Sequence, residues 1–201
     1  AKGDLRQLAQ EWKIPTFSIP DFLGGRFSVL SAVGLFPAHI SGVNCTDLIK
    51  GAIEYRAHFV KQFEKCEIPE VLALADQLLA HLEKNNRAIT VLMPYSQKLK
   101  TLSAWFSQLW AESLGKNGKG FTPLPAVGAS DQHSILQLLC DGPEDKVVGF
   151  IEVQGFNNIL ELDWQGPTLK AFSLVSGVTM NLLMDAELNA TRQVLTSHNK
   201  P

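Results

Sequence analysis

The chain has 201 residues, room for one domain, or one domain with part of another, and enough to bury a sizeable core. Apolar residues make up 45% and charged residues 19%, an ordinary balance for a soluble globular protein. The formal net charge is -2 with no basic block, which speaks against nucleic acid as a partner; no apolar run spans a membrane and no signal peptide opens the chain.

In chain order, residues 4–13 read as a helix with Leu5, Leu8, Ala9 and Trp12 on one face, stopped by Pro15. Residues 16–19 are a short strand candidate closed by Pro20. Two adjacent glycines, Gly24 and Gly25, allow a sharp turn and close approach to a ligand, and Arg26 follows at once. Ser28 is placed to cap a helix over residues 29–36, the arrangement that suits an anion at a helix N-terminus. No GxxxxGK[ST] is present, so this is not a phosphate P-loop.

Residues 46–65 predict a long amphipathic helix. Pro69 opens another over 70–84, with Val71, Leu72, Ala75, Leu78, Leu79 and Leu82 at helical spacing and Asn85-Asn86 as its stop. Residues 88–93 read as a buried strand cut off by Pro94. A helix over 97–113 carries Gln108 and Glu112, four apart and so on one face. Glu112 falls in its last turn, where the negative end of the helix dipole disfavours a carboxylate. Residues 121–127 form the next strand, weakened by two prolines. In the turn Gly128-Ala129-Ser130-Asp131, Ser130 or Asp131 is placed to cap a helix with His133 in its first turn. Glu112 and His133 are therefore expected to point at one crevice, where open α/β sheets take ligands. Residues 146–153 are a third strand, 160–162 and 169–174 short strands or loop, and 179–196 a final helix. Strands alternate with helices after residue 86, which predicts a parallel sheet in an α/β fold.

Cys45, Cys66 and Cys140 are scattered and unpaired by any CxxC. They point to a reducing, cytoplasmic compartment rather than a disulfide frame or a zinc site. Cys140 reads as a buried apolar position. His39, His58, His81 and His198 read as surface or capping residues.

Three stretches together resemble the glucose-6-phosphate isomerase (phosphoglucose isomerase) family, over nearly the whole chain. They are Asp21-Phe22-Leu23-Gly24-Gly25-Arg26-Phe27-Ser28 with its continuation to Leu35; Pro94-Tyr95-Ser96 followed by Phe106-Ser107-Gln108-Leu109-Trp110-Ala111-Glu112-Ser113; and Gly128-Ala129-Ser130-Asp131-Gln132-His133, in the form of bacterial members. The resemblance implies that Glu112 is the base moving a proton between C2 and C1 through a cis-enediol. It implies that Arg26 stabilises the enediolate and that His133, supplied by the partner subunit of a homodimer, opens the sugar ring. Gln108 is implied near the substrate phosphate, Gly25 as a backbone contact, and Gln132 as substrate-binding beside the histidine. The implied fold is the SIS domain, a three-layer αβα sandwich with a mainly parallel sheet. No cofactor or metal is implied, and the implied partner is a sugar-phosphate substrate.

The departures are specific. The family's serine- and threonine-rich phosphate loop has no equivalent here, and its C-terminal lysine signature does not follow Thr196. On this reading residues 1–45 are a leader and linker from a preceding SIS domain, and 46–201 are a C-terminal SIS domain lacking its final segment. The chain is then expected to be a fragment, inactive alone.

The residue types suit the chemistry without the resemblance. Aldose–ketose isomerisation needs a base reaching two adjacent carbons, a cation for the enediolate oxygen, and an acid/base for the ring. Alone, each is weak: a glutamate at a helix end is usually solvated, a lone histidine usually caps or packs, and a lone arginine usually lies on the surface. Alternative readings are a non-catalytic SIS module sensing a sugar phosphate, a phosphoglucose/phosphomannose isomerase, and a piece that only folds and dimerises.

Overall fold

The computed structural model describes residues 3–156, 158–163, 166 and 176–201. It divides into two compact units, Ala1–Ala75 and Asp76–Pro201, with the division falling inside a helix.

The first unit is helical. Helix α1 (Asp4–Glu11) is followed by an extended stretch, a 3-10 turn at Gly25–Leu30, α2 (Ala32–Ile40) and α3 (Cys45–Glu64). The strand expected at 16–19 is absent among the described residues. Pro15 and Pro20 bracket it and remove two ladder donors, and the Thr16 hydroxyl is taken by Arg6 Nη1 at 2.6 Å. Ser31, not Ser28, caps the following helix: its Oγ accepts from the Val33 N–H at 3.3 Å. Ser28 is turned inward, donating to the Gly25 carbonyl at 2.6 Å, so the Gly-Gly-Arg segment precedes the helix as a tight turn of its own. Asn44 caps α3 through the N–H groups of Thr46 and Asp47.

This unit buries little. Among its described residues only Ser28 and Pro69 are buried, while Phe22 is 91% and Leu5 84% exposed. Helix α4 (Glu70–Asn85) crosses the division and ends where Asn86 enters the left-handed region at φ 54.

The second unit is the expected α/β assembly. Strands β1 (Ile89–Pro94), β2 (Thr122–Pro125) and β3 (Lys146–Ile151) form a parallel sheet in the order β2-β1-β3. Helices α5 (Lys100–Leu114), α6 (Gln132–Asp141) and α7 (Met180–Ser197) accompany it. The crossovers β1-α5-β2 and β2-α6-β3 run in opposite directions along the sheet, so the right-handed rule puts α5 and α6 on opposite faces. Val91, Met93 and Tyr95 alternate along β1 and its exit, and pack with Leu139 of α6 and Leu188 and Leu195 of α7. Cys140 lies partly buried against this cluster, and burial pushes its thiol up. Of the uncertain stretches, Glu161 makes one isolated bridge with Thr179, and 169–174 lie outside the described residues. Among the described residues no helix is long and apolar enough to cross a membrane.

Candidate active site

Glu112 stands exposed in the last turn of α5. The shared helix face brings Gln108 to it: Gln108 Nε2 donates to Glu112 Oε1 at 3.1 Å. The ring of Trp110 lies between Phe106 and Phe121, at centroid distances of 5.0 and 5.7 Å, and anchors this end of α5 beside the entry to β2. The exit is a two-residue reverse turn. Asn117 and Gly118 both have positive φ, 53 and 71, and Lys116 and Lys119 exchange backbone hydrogen bonds of 3.1 and 2.9 Å across it. Lys116 Nζ also donates to the Ser113 carbonyl at 3.0 Å, a cation at the negative helix end.

His133 is exposed on the first turn of α6, as expected. The expected cap works differently. Asp131 occupies the cap position, but its carboxylate turns back to accept the Val127 N–H at 2.7 Å, while the Asp131 N–H donates to the Val127 carbonyl at 2.8 Å. The pair closes the 127–131 loop rather than the helix. Gly128 lies against Tyr95: a Cβ there would come within 2.3 Å of the ring.

Gln132 is pinned from the interior. Its Oε1 accepts the Tyr95 hydroxyl at 2.5 Å and lies 3.0 Å from Thr191 Oγ1. Tyr95 and Thr191 are themselves 3.0 Å apart, and the Thr191 hydroxyl also lies 2.9 Å from the Glu187 carbonyl. Burial pushes the Tyr95 phenol up and the nearby Glu187 charge adds to this, against the Thr191 hydrogen bond, so the phenol stays a neutral donor. Sequence reasoning missed this cluster. Tyr95 sits in one of the quoted motifs, but nothing marked Thr191.

The topology separates Glu112 from His133. Because β1 and β2 are parallel neighbours, α5 must run from the C-terminal edge of the sheet back to its N-terminal edge, and it carries Glu112 there. His133 follows β2 and begins α6 at the C-terminal edge. A six-residue strand such as β1 puts these edges on the order of 20 Å apart. One chain therefore does not bring Glu112 and His133 into a single crevice, contrary to the expectation from spacing.

Gly25 and Arg26 belong to the first unit. The Arg26 guanidinium sits over the Phe27 ring, 4.8 Å from its centroid. The two glycines are not forced by their own backbone: Gly24 is extended at φ -65, ψ 148, and at Gly25 a Cβ would meet nothing within 4 Å. Clefts among the described residues include one of about 620 Å³ beside residues 16–21 and one of about 360 Å³. The second lies at the C-terminal edge of β1 and β3, against Ser96, Gln97, Lys98, Val153 and Phe156. Neither is lined by the residues nominated from sequence. Among the described residues no cluster of His, Cys, Asp and Glu is arranged to hold a metal ion.

Comparison with known proteins adds an independent line. The family model described as phosphoglucose isomerase matches residues 11–165. A glucose-6-phosphate isomerase of Rubrobacter xylanophilus is 42% identical over 202 aligned residues, covering 100% of this chain and 46% of that relative. One of Carboxydothermus hydrogenoformans is 38% identical over 100% of this chain and 44% of its own length. The chain thus spans about half the length of the curated relatives it matches. A crystal structure of a hypothetical protein from Thermus thermophilus matches at TM-score 0.82 and 36% identity, over 100% of this chain and 48% of the other. A glucose-6-phosphate isomerase from Chlamydia trachomatis shares the fold, at TM-score 0.68 and 23% identity over 90% of this chain and 34% of the other.

Proposed function

The chain belongs to the phosphoglucose isomerase family, and from that premise we propose that it carries catalytic residues for interconverting glucose 6-phosphate and fructose 6-phosphate. Its setting is then glycolysis and gluconeogenesis in the cytoplasm, and its fold the SIS type. The observation that carries the reading is the exposed Gln108–Glu112 pair at the end of α5, inside the matched segment.

In this reaction the Glu112 carboxylate takes the proton from C2 of the open-chain aldose. The electron pair left behind forms the C1–C2 double bond of a cis-enediolate, and charge moves to O1. The Arg26 guanidinium offsets that charge while a proton passes from O2 to O1; the charge, now on O2, collapses to the C2 carbonyl of the ketose as Glu112 returns its proton to C1. Gly25 offers its backbone beside Arg26, because no side chain fills the space there. Gln108 holds Glu112 and lies near the substrate phosphate. Gln132 binds substrate beside His133, which opens and closes the sugar ring.

The reading makes the protein a homodimer whose site takes Glu112 from one subunit and the ring-opening histidine from the other. Support comes from the two edges of the sheet: a single chain holds the base and the histidine at opposite ends of its strands. The reading requires no metal or organic cofactor, since Glu112 carries the carbon-bound proton and Arg26 meets the enediolate charge.

The test is Glu112→Gln in the protein as the cell makes it. The amide keeps the shape and the partner Gln108 but cannot accept the proton. Turnover of fructose 6-phosphate, followed through a coupled dehydrogenase, is expected to vanish, while substrate affinity stays within about tenfold. Normal turnover would remove Glu112 as the base. A wild-type protein that binds sugar phosphate without turnover would favour the sensor.

A further inference from the structure

We propose that Tyr95 and Thr191 are positioning residues that lock the side-chain amide of Gln132 and, through it, the first turn of α6 on which His133 stands. The lock is a triangle of three oxygens, hydroxyl, hydroxyl and amide, with sides of 2.5, 3.0 and 3.0 Å, held by two protons: the Tyr95 O–H donates to Gln132 Oε1, and the Thr191 O–H is shared between that oxygen and the Glu187 carbonyl. Its two hydroxyls belong to the core: Tyr95 is 2% and Thr191 3% exposed. Gln132 is only half-buried, so the triangle joins the interior to the surface turn.

Each corner is itself fixed. The Tyr95 ring lies against Gly128, where a side chain would collide with it, and 6.0 Å from the Phe150 centroid. The Thr191 hydroxyl reaches the Glu187 carbonyl one turn earlier on α7. A glutamine amide has a carbonyl end and an N–H₂ end on one carbon. Engaging the carbonyl inward sets the plane of the amide and leaves two N–H donors on its other side. A glutamine side chain at a helix start otherwise samples many rotamers, and its carbonyl would lose its inward donors if it turned away. The core thus dictates which way Gln132 presents its donors, and holds the residue immediately before His133. The loop closed by Asp131 and Val127 fixes the other side of the same turn.

The functional half of this proposal rests on the isomerase reading above; the structural half does not. The test uses Tyr95→Phe, Thr191→Val, Thr191→Ser and Gln132→Ala in the protein as the cell makes it. Tyr95→Phe is expected to lower kcat/KM for fructose 6-phosphate about fivefold, the effect of one lost hydrogen bond. If Tyr95 acts through Gln132, the same change made on Gln132→Ala should add no more than about 1.5-fold. Thr191→Val should behave likewise, and Thr191→Ser, which keeps the hydroxyl, should restore the wild-type value. Equal losses in both backgrounds would overturn the proposal, since a merely structural tyrosine acts regardless of what residue 132 is.

The second readout needs no activity. In selectively glutamine-labelled protein, the Gln132 side-chain amide should give a dispersed nitrogen-15 resonance pair. That pair should collapse toward the position of free glutamine in Tyr95→Phe and Thr191→Val, with the other glutamines unmoved. A protein without turnover but with this collapse sinks the isomerase reading and keeps the lock; a pair indifferent to both variants sinks the lock.

Discussion

At Gly25 a Cβ would meet no atom within 4 Å, and the backbone there stays out of the left-handed region. Alanine therefore suits the fold, and losing glycine's freedom in the unfolded chain should raise stability by about 0.4–1 kcal/mol. The proposed role predicts the opposite for function. Gly25→Ala should hold or raise the melting temperature while KM for fructose 6-phosphate rises about tenfold, because a methyl group intrudes where backbone meets substrate. An unchanged KM would assign Gly25 no part in binding. Gly128 presents the contrary case. The Tyr95 ring already occupies the place of its missing side chain, so the fold itself demands glycine there, whatever the chemistry does.

Between elements, Gly34 governs how α2 meets the 3-10 turn carrying Arg26. A Cβ on Gly34 would come within 2.1 Å of the Val29 carbonyl oxygen. Gly34→Ala should destabilise the chain by about 1–3 kcal/mol, seen as a lower urea midpoint at unchanged slope. A midpoint equal to wild type would mean that the turn shifts freely. This close packing was not legible in the sequence, where Gly34 is one residue of an apolar run. The helices and strands of the second unit were legible, because Pro94, Asn86 and the apolar runs mark their ends by local chemistry. What failed was chemistry with two local solutions. Ser28 and Ser31 both stand near a helix start, and the inward hydrogen bond to Gly25 left the capping to Ser31. Asp131 likewise had a choice, and the Val127 N–H took its carboxylate. Gln108 and Glu112 were legible as a pair because four residues make one helical step. The Tyr95–Gln132–Thr191 triangle joins residues 37 and 59 positions apart, which no local pattern encodes.

For the whole molecule, the decisive geometry is that Glu112 and His133 occupy opposite edges of one sheet. If each site draws them from different subunits, two inactive variants must complement. Glu112→Gln and His133→Ala proteins, mixed and reassociated, should recover about a quarter of wild-type activity. Half of the dimers are then mixed, and each mixed dimer keeps one intact site of two. Activity at the level of the separate variants would place both groups on one chain. This edge-to-edge separation also explains why spacing alone misled: the stretch from Glu112 to His133 is short in sequence, but it contains a whole strand that crosses the sheet.

The exposed apolar surface of the first unit has a consequence for this chain handled by itself. Phe22, Leu5, Trp12 and Phe17 lie open to solvent, and among the described residues of this unit only Ser28 and Pro69 are buried, which leaves a sticky apolar surface. Handled by itself, the chain should therefore be limited by self-association, with an onset of heat-induced scattering that falls as protein concentration rises.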